Sequence, residues 1–448
     1  MRSLRRYLDR PPLVIAAGLA LWATSCGGGG TPTAPPQTAA PTTESKSAPA
    51  TQPTAKQETA SQPAAGSGEP IKIGLVTGTS GVYAALGQDQ VRGGELAAAE
   101  IGNLLGRPVQ VVARDDKLNP QEAAKQAGEL VANEKVTALS GCVSAATTLA
   151  VNEVAKRANL MYLGTCQTNQ LNTQKDGGPY TFHFTYTPYQ QNKLVDDWIF
   201  ENLGKQWYII LADYAWGHEN LESVKEYLRS KNVSLVGEAA APLGTTDFSS
   251  FIPPVRAAKP EVLYMLNAGG DWIAFMKQAA SFGVLQEMKL YHPAVDMVFD
   301  EQAGHESIEG TYGGTVFDWQ MSETRPQAKE FVDAFAAKYG KPPSSYAALQ
   351  YVAIKQWAEA VKRAGSLEPD KVSAALAGAE YETPWGRTHI RKCDRQVVMP
   401  IQINVGMSKQ EAEALGGPFA KYRFRKPVTT IPASDESLQT CEQLGWTS

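Results

Sequence analysis

The sequence predicts an α/β fold of two doubly wound lobes, and three observations predict it. From residue 71 onward, short β-rich runs alternate with amphipathic helical stretches, the pattern of a parallel sheet with crossover helices. That rhythm runs twice, over about 71 to 180 and again from 207 to about 315. About 378 residues follow residue 70, enough for two to three domains of ~150 residues each.

IKIGLV (71 to 76) is the first strand. A glycine- and hydroxyl-rich turn, Thr77 to Gly81, leads into a helix around 87 to 103, and PVQVVARDD (108 to 116) supplies a second strand. The helix over 119 to 133 opens with Asn119 as N-cap and Pro120 behind it. An Asn side chain satisfies a free N–H there, and Pro has none to lose. VTALSG, LMYLG, WYIILAD, VSLVGEAA and EVLYMLNAGG read as further strands, each followed by turn residues and helical periodicity. Helical stretches at 326 to 339 and 344 to 364 come next, then short strands ending near Val405. The doubled pattern and the late return to helices predict three crossings between lobes, near 187–190, 316–320 and 395–400. One lobe then takes 71–188 plus 318–396, the other 189–317 plus 397–448. Ligands of doubly wound sheets bind outside the carboxyl ends of the strands, so two facing sheets create a cleft.

The N-terminus sets the compartment. Arg2, Arg5, Arg6 and Arg10 precede an apolar run, residues 11 to 23, too short to span a bilayer as a helix, and Thr24-Ser25-Cys26 follows. Small residues before a cysteine, itself followed by Gly27 to Gly30, resemble the bacterial lipobox, which implies a signal peptide over 1–25 and a lipid anchor on Cys26. Residues 26–70 are built mainly from Thr, Pro, Ala, Gln, Ser and Gly, a tether without the large apolar residues a core requires. Residues 1 to 25 hold four Arg and one Asp, so the formal charge of −4 becomes −7 without them, and no basic run remains in the body. That balance argues against nucleic acid as a partner.

GCVSAATTLAVNEVAKRANLMYLGTC (141 to 166) places Cys142 and Cys166 on either side of one helix, each just past a strand. Setting Cys26 aside leaves four cysteines in an oxidising compartment. The economical reading is two disulfides, Cys142 with Cys166 and Cys393 with Cys441, the second contributing ~4 kcal/mol by chain entropy. No CxxC and no nearby His pair supports a metal site. Ser144 heads the helix between the first two cysteines, with Thr147 and Thr148 close behind. It is either a plain cap or a hydroxyl that joins the free N–H groups of the helix start in holding a carboxylate.

Seven stretches, in order and spacing, resemble the type I periplasmic solute-binding proteins of branched-chain amino acid ABC transporters. They are IKIGLVTGTSGVYAALG (71 to 87), ARDDKLNPQEAAKQAGELV (113 to 131), the run from 141 to 171, TFHFTYTPY (181 to 189), ADYAWGHE (212 to 219), 244 to 271 and RKCDRQVVMPIQI (391 to 403). The resemblance covers nearly the whole body. It implies two Rossmann-like lobes joined by a three-segment hinge, closing on a small polar ligand: an amino acid, or a related carboxylate or amide.

It also implies site residues. Val143 and Ser144, and the loop Thr165-Cys166-Gln167, match the family's grip on the ligand carboxylate, where that loop usually has small residues and a threonine. Tyr83 and Leu86 match ligand-covering positions, and Trp216, beside Tyr214 in DYAWG, matches the aromatic that closes from the other lobe. Trp216 otherwise packs on its own helix, and Tyr83, with Tyr186 and Tyr189, otherwise packs at the hinge. The family's acidic partner for an amino group has no counterpart in YHPAVD (291 to 296). Asp296 and Asp271 are the substitutes, or else helix caps.

The resemblance implies ABC permease subunits and, through the lipid, the membrane as partners. No cofactor is expected. A sensor for a signalling receptor would use the same fold. A hydrolase is the rival from another class, but the five histidines form no HExxH, and GxSxG, a P-loop and a GxGxxG after the first strand are all missing.

Overall fold

The computed structural model describes residues 68–447. The signal segment, Cys26 and most of the tether lie outside the described residues. The chain enters β1 (Ile71–Thr77), then α1 (Ala84–Ile101), β2 (Asn103–Leu104) and β3 (Arg107–Asp115). It continues through α2 (Pro120–Glu129), β4 (Ala138–Gly141), α3 (Ala145–Arg157), β5 (Met161–Gly164) and β6 (Thr181–His183). These strands form a six-stranded sheet, β2-β3-β1-β4-β5-β6, parallel except at the β2–β3 edge. Asn119 caps α2 as its residue type demands, accepting from the Glu122 N–H with Pro120 behind it. β4 and β5 are buried along their whole lengths, which is why ALSG and MYLG read as runs of small and apolar residues without polar alternation.

A second sheet repeats the plan. α4 (Pro188–Asn202), capped by Thr187, leads to β7 (Trp207–Ala212), followed by α5 (Ala215–Ser230), β8 (Gly237–Ala241), α6 (Ile252–Ala258) and β9 (Val262–Leu266). α7 (Gly269–Ser281), β10 (Lys289–His292), α8 (Met297–Ala303), α9 (His305–Ile308) and β11 (Tyr312–Thr315) complete the βα run. The chain then returns to the first lobe with α10 (Pro326–Tyr339), α11 (Ser345–Ala364) and α12 (Pro369–Leu376). α11 lies so close along α1 that a Cβ on Gly93 would overlap the Ala347 carbonyl.

β12 (Glu380–Thr383), β13 (Gly386–Ile390) and β14 (Val397–Val398) make a small antiparallel sheet, and β15 (Ile401–Gly406) and β16 (Arg425–Ile431) rejoin the second lobe. Its seven strands run β16-β15-β11-β10-β9-β7-β8, with β15 and β16 antiparallel.

Chain passes from sheet to sheet occur after β6, after β11 and between β14 and β15, where Gln396 pairs with His183. Two features differ from the sequence reading. VSLVGEAA is strand only from Gly237, and β16 is absent from that reading: its β-branched run, residues 428–431, follows Lys426 and Pro427. A buried bidentate pair, Arg425 to Asp300 at 2.7 and 3.0 Å, fastens β16 to α8. The tail beyond β16 crosses back to the first lobe, where Leu444 and Trp446 bond to Gln174 and Asn172.

Candidate functional site

In the first sheet, the chain leaves β1 for β3 on one side and reaches β4 on the other. In the second, it leaves β7 for β8 on one side and reaches β9 on the other. Such reversals open a crevice at the carboxyl ends of the flanking strands, since the loops there diverge to opposite faces. The two crevices meet. Tyr83, past β1, and Tyr214, past β7, share a hydroxyl–hydroxyl bond of 3.0 Å. Gly269 at the start of α7 has φ +65°, and a Cβ on it would overlap the Val82 carbonyl and the Tyr83 ring. Leu86 is buried behind Tyr83 on α1.

After β4 the backbone turns left-handed twice, at Gly141 (φ 109°) and Cys142 (φ 73°). Val143 and Ser144 then deliver the chain to α3. Ser144 occupies the cap position with extended backbone, yet its side chain makes no capping bond. Its carbonyl instead takes the Thr148 N–H and the Thr147 hydroxyl. The plain-cap reading of the side chain is therefore not what the geometry shows.

After β5, Thr165 is held by groups from distant helices. Its hydroxyl accepts from Gln90 Nε2 (3.0 Å, from α1) and donates to Gln350 Oε1 (3.2 Å, from α11). Gln90 also takes the Thr77 hydroxyl and donates to the Cys142 carbonyl, while Gln350 donates to Ser140 Oγ. With its hydroxyl committed twice, Thr165 acts as a support for the loop. Gln90 and Gln350 were not anticipated. Both amides are fully buried on their helices, Gln90 beside the equally buried Asp89, and only the structure shows it.

Cys142 and Cys166 are both free and buried, which corrects the expected bridge between them. Adjacent loops brought the two residues near each other, but the left-handed turn at Cys142 puts its sulfur 3.6 Å from the Tyr162 hydroxyl. Cys166 Sγ lies instead 3.8 Å from the Gln167 carbonyl. Burial in a cluster with Val76, Leu139, Val151 and Leu171 pushes the Cys142 thiol up to about 12, and the Cys166 thiol also well up. Cys393 and Cys441 are joined, with Cα atoms 6.1 Å apart.

From the second lobe, Trp216 donates through Nε1 to Gln167 Oε1 at 2.8 Å and stacks on Tyr214. It therefore reaches across the cleft. Glu219 on α5 adds a further link, accepting from Thr168 Oγ (3.0 Å) and the Asn169 N–H (2.7 Å). Tyr346, at the start of α11, belongs to the same cluster: Cys166, Tyr83, Asp296 and Tyr186 are its electrostatic neighbours, and burial raises all four tyrosine pKa values in the group. Neither Tyr346 nor Glu219 was read from sequence, because each reaches the cleft only through tertiary packing. Tyr186 sits in the first crossing against Val316 of the second, while Tyr189 lies half-buried on α4 with its N–H on Asn169.

The two acids are engaged to different extents. Asp296 caps α8 through Val298 N (3.0 Å) and also accepts from Ser345 N (2.9 Å) and Ser345 Oγ (2.5 Å). Burial outweighs these donors and raises its pKa to about 6. Asp271, in the first turn of α7, accepts from one N–H, that of Gly244. Behind this rim His292, ending β10, bonds through Nε2 to the Asn267 carbonyl at 2.5 Å, and burial lowers its pKa to about 3. No group of three or more metal-ligating side chains occurs among the described residues.

This arrangement can hold a small anion by hydroxyls and N–H groups from one side and cover it with aromatic rings from the other. A family described as periplasmic binding protein matches residues 70–406. The Leu/Ile/Val-binding protein homolog 8 of Brucella melitensis is 25% identical over 393 residues, covering 80% of this chain and 93% of that one. Among solved structures, a periplasmic binding protein from Burkholderia mallei has 27% identity and a TM-score of 0.75, covering 83% of this chain and 96% of its own. A branched-chain amino acid ABC transporter ligand-binding protein from Burkholderia xenovorans has 25% identity and a TM-score of 0.71, covering 82% and 96%. A solute-binding protein from Rhodopseudomonas palustris in complex with 3,4-dihydroxybenzoic acid shares the fold at 24% identity and a TM-score of 0.73, covering 81% and 98%.

Proposed function

Because the chain belongs to the periplasmic binding protein family, we propose that it is the extracytoplasmic binding component of an ABC importer, capturing a small carboxylate between its lobes and passing it to a permease. The observation that carries this reading is the meeting of the two crevices at Tyr83 and Tyr214, beside a Ser144 hydroxyl that caps nothing. The carboxylate accepts from Ser144 and the first N–H groups of α3, where the helix dipole also favours negative charge. Tyr83, Tyr214, Tyr346 and Trp216 cover the body of the ligand.

An aromatic carboxylate fits this lining better than an α-amino acid. Asp296 is filled by three donors, and Ala294 stands where the family's acid would meet an ammonium. Capture needs no chemistry on the ligand, so the protein is read as a binder and not an enzyme. The reading includes a membrane-held form, diacylated at Cys26 and spaced by its tether.

Thermal shift of the purified protein against benzoate, 4-hydroxybenzoate, leucine, acetamide and urea tests the ligand class, since a ligand of the native state alone raises the melting temperature. Benzoates should stabilise it and leucine should not. A shift with leucine alone would overturn the aromatic assignment and return Asp271 to the role of amine partner. Cys26→Ala should move the protein from the membrane to the soluble fraction, and a variant that stays with membranes removes the anchor.

A further inference from the structure

Gln167 sits at the crossing point of the cleft, and its own backbone N–H has no hydrogen-bond partner among the described residues, although the residue is only 6% exposed. A buried N–H without a partner is rare, which points to a ligand acceptor there. The peptide that carries it is held from behind. His183, fully buried at the end of β6, donates through Nε2 to the Cys166 carbonyl at 2.7 Å. In a trans peptide the C=O and the following N–H point in opposite directions. Anchoring the Cys166 carbonyl inward therefore directs the Gln167 N–H outward, toward the cleft.

The imidazole is itself held. Its Nδ1 lies 2.6 Å from Asn172 Oδ1, and burial lowers its pKa to about 4, so the ring is neutral with one donor to give. With that donor on Nε2, Nδ1 is an acceptor, and the Asn172 amide turned end for end presents its NH2 group to it. The Asn172 backbone carbonyl accepts the Trp446 indole N–H at 2.7 Å. Trp446 also lies under the Arg395 guanidinium. The tail that delivers it is fastened by the Cys393–Cys441 bond and by Arg391 reaching the Gln439 carbonyl.

We propose that His183 is a positioning residue, aiming the Gln167 N–H at the ligand carboxylate, and that the disulfide-held tail keeps His183 in place through Asn172. This rests on the reading of the cleft as a carboxylate site. Ser144 and Gln167, from the loops past β4 and β5, then supply converging donors, and the third chain crossing is wired to one of them.

The test compares His183→Leu, which removes the donor, His183→Gln, which keeps one at similar reach, and Trp446→Phe, which keeps the ring and loses its N–H. Benzoate is the titrant in calorimetry, and the Gln167 amide and Trp216 indole N–H resonances are followed without ligand. His183→Leu should weaken benzoate binding roughly tenfold or more, the loss of one aligned donor to a charged acceptor. Trp446→Phe should weaken it by a smaller factor, and His183→Gln should recover most of the affinity. The two resonances should move in the same order. Unmoved resonances in a folded His183→Leu protein, or a Gln variant as weak as the Leu one at equal melting temperature, would overturn the proposal. If wild type does not bind benzoate, the ligand assignment fails and the resonances alone decide the role of His183. If His183→Leu does not fold, the Gln and Phe variants carry the same comparison.

Discussion

The rim of the first lobe and the rim of the second are supported in different ways. Behind Ser144 and Gln167 lie Gln90, Gln350 and His183, a set of buried hydrogen bonds that fixes loops from three strands. Behind Tyr214 and Trp216 lie packed rings, Trp272 against His292 and Phe299 and Tyr264 against Tyr291, and one buried chain of bonds that runs from Tyr264 through Asn192 and Asn220 to the Trp216 carbonyl without reaching a second loop of the rim. One device is common to both. Each lobe ends a strand with a buried neutral histidine that donates to a carbonyl of the neighbouring loop, His183 to Cys166 and His292 to Asn267. The difference teaches a division of labour. The first rim presents donors whose directions must be fixed before the ligand arrives, so that ordering them costs little on binding. The second rim presents surface, and surface tolerates adjustment.

The largest break in that comparison should come from Gln350→Leu. It takes the acceptor from the buried Thr165 hydroxyl and a donor from Ser140 Oγ, while Gln90 and the Leu163 carbonyl leave each with one bond. A loss of about 1–3 kcal/mol in chemical denaturation is expected, the cost of one stranded donor, while a second-rim change such as Trp216→Phe should cost less stability. Binding sharpens the contrast next. Trp216→Phe and Ser144→Ala should each lower affinity for the ligand by roughly tenfold, the value of one hydrogen bond to a charged or buried partner. Because Ser144 makes no capping bond, its alanine variant should keep its stability within about 0.5 kcal/mol. A loss near ~1 kcal/mol with affinity intact would restore the capping role.

The remaining effect is that of pH. His183 and His292 hold their protons off until about 4 and about 3, against an ordinary 6.5. Between those values the unfolded chain binds more protons, so their contribution is full above pH 6.5 and is lost as the pH falls toward 4. Asp296 opposes them. Its folded value of about 6 lies above the ordinary 3.8, so its contribution is present below 3.8 and is lost as the pH rises through 6. Burial raises Asp116, Asp196, Glu219, Asp271 and Asp318 in the same sense as Asp296, so the check is a difference: melting temperature should fall more steeply on acidification from pH 7 to 4 in Asp296→Asn than in the wild type. Equal slopes in the two proteins would show that Asp296 does not take up its proton in this range.

Local signals carried most of the fold. The Asn119 cap with Pro120 behind it marked a helix start that the structure keeps, the helical stretches from 326 and 344 are helices, and the repeated βα rhythm marked both sheets. β16 escaped because it is an edge strand: its β-branched run at 428–431 is short, exposed or half-buried, and preceded by Pro427, which reads as a turn or loop signal. In the site, motifs at strand ends were legible because chain order fixes where such loops lie. Side-chain direction was not. Nothing in the spacing of Cys142 and Cys166 foretold a left-handed turn at Cys142 or two free thiols, and nothing local tied Gln90 to Gln350 across the 260 positions between them. Asp296 looked free for a ligand until Ser345, from a helix 49 residues on, took its second oxygen.

The Val82 carbonyl rests against the bare Cα face of Gly269, whose φ of +65° itself disfavours a side chain. A methyl group there would act twice: it would strain the start of α7, and as a doorstop it would hold the loops past β1 and β9 apart. How near the two lobes come is thus set by the thickness of one backbone contact.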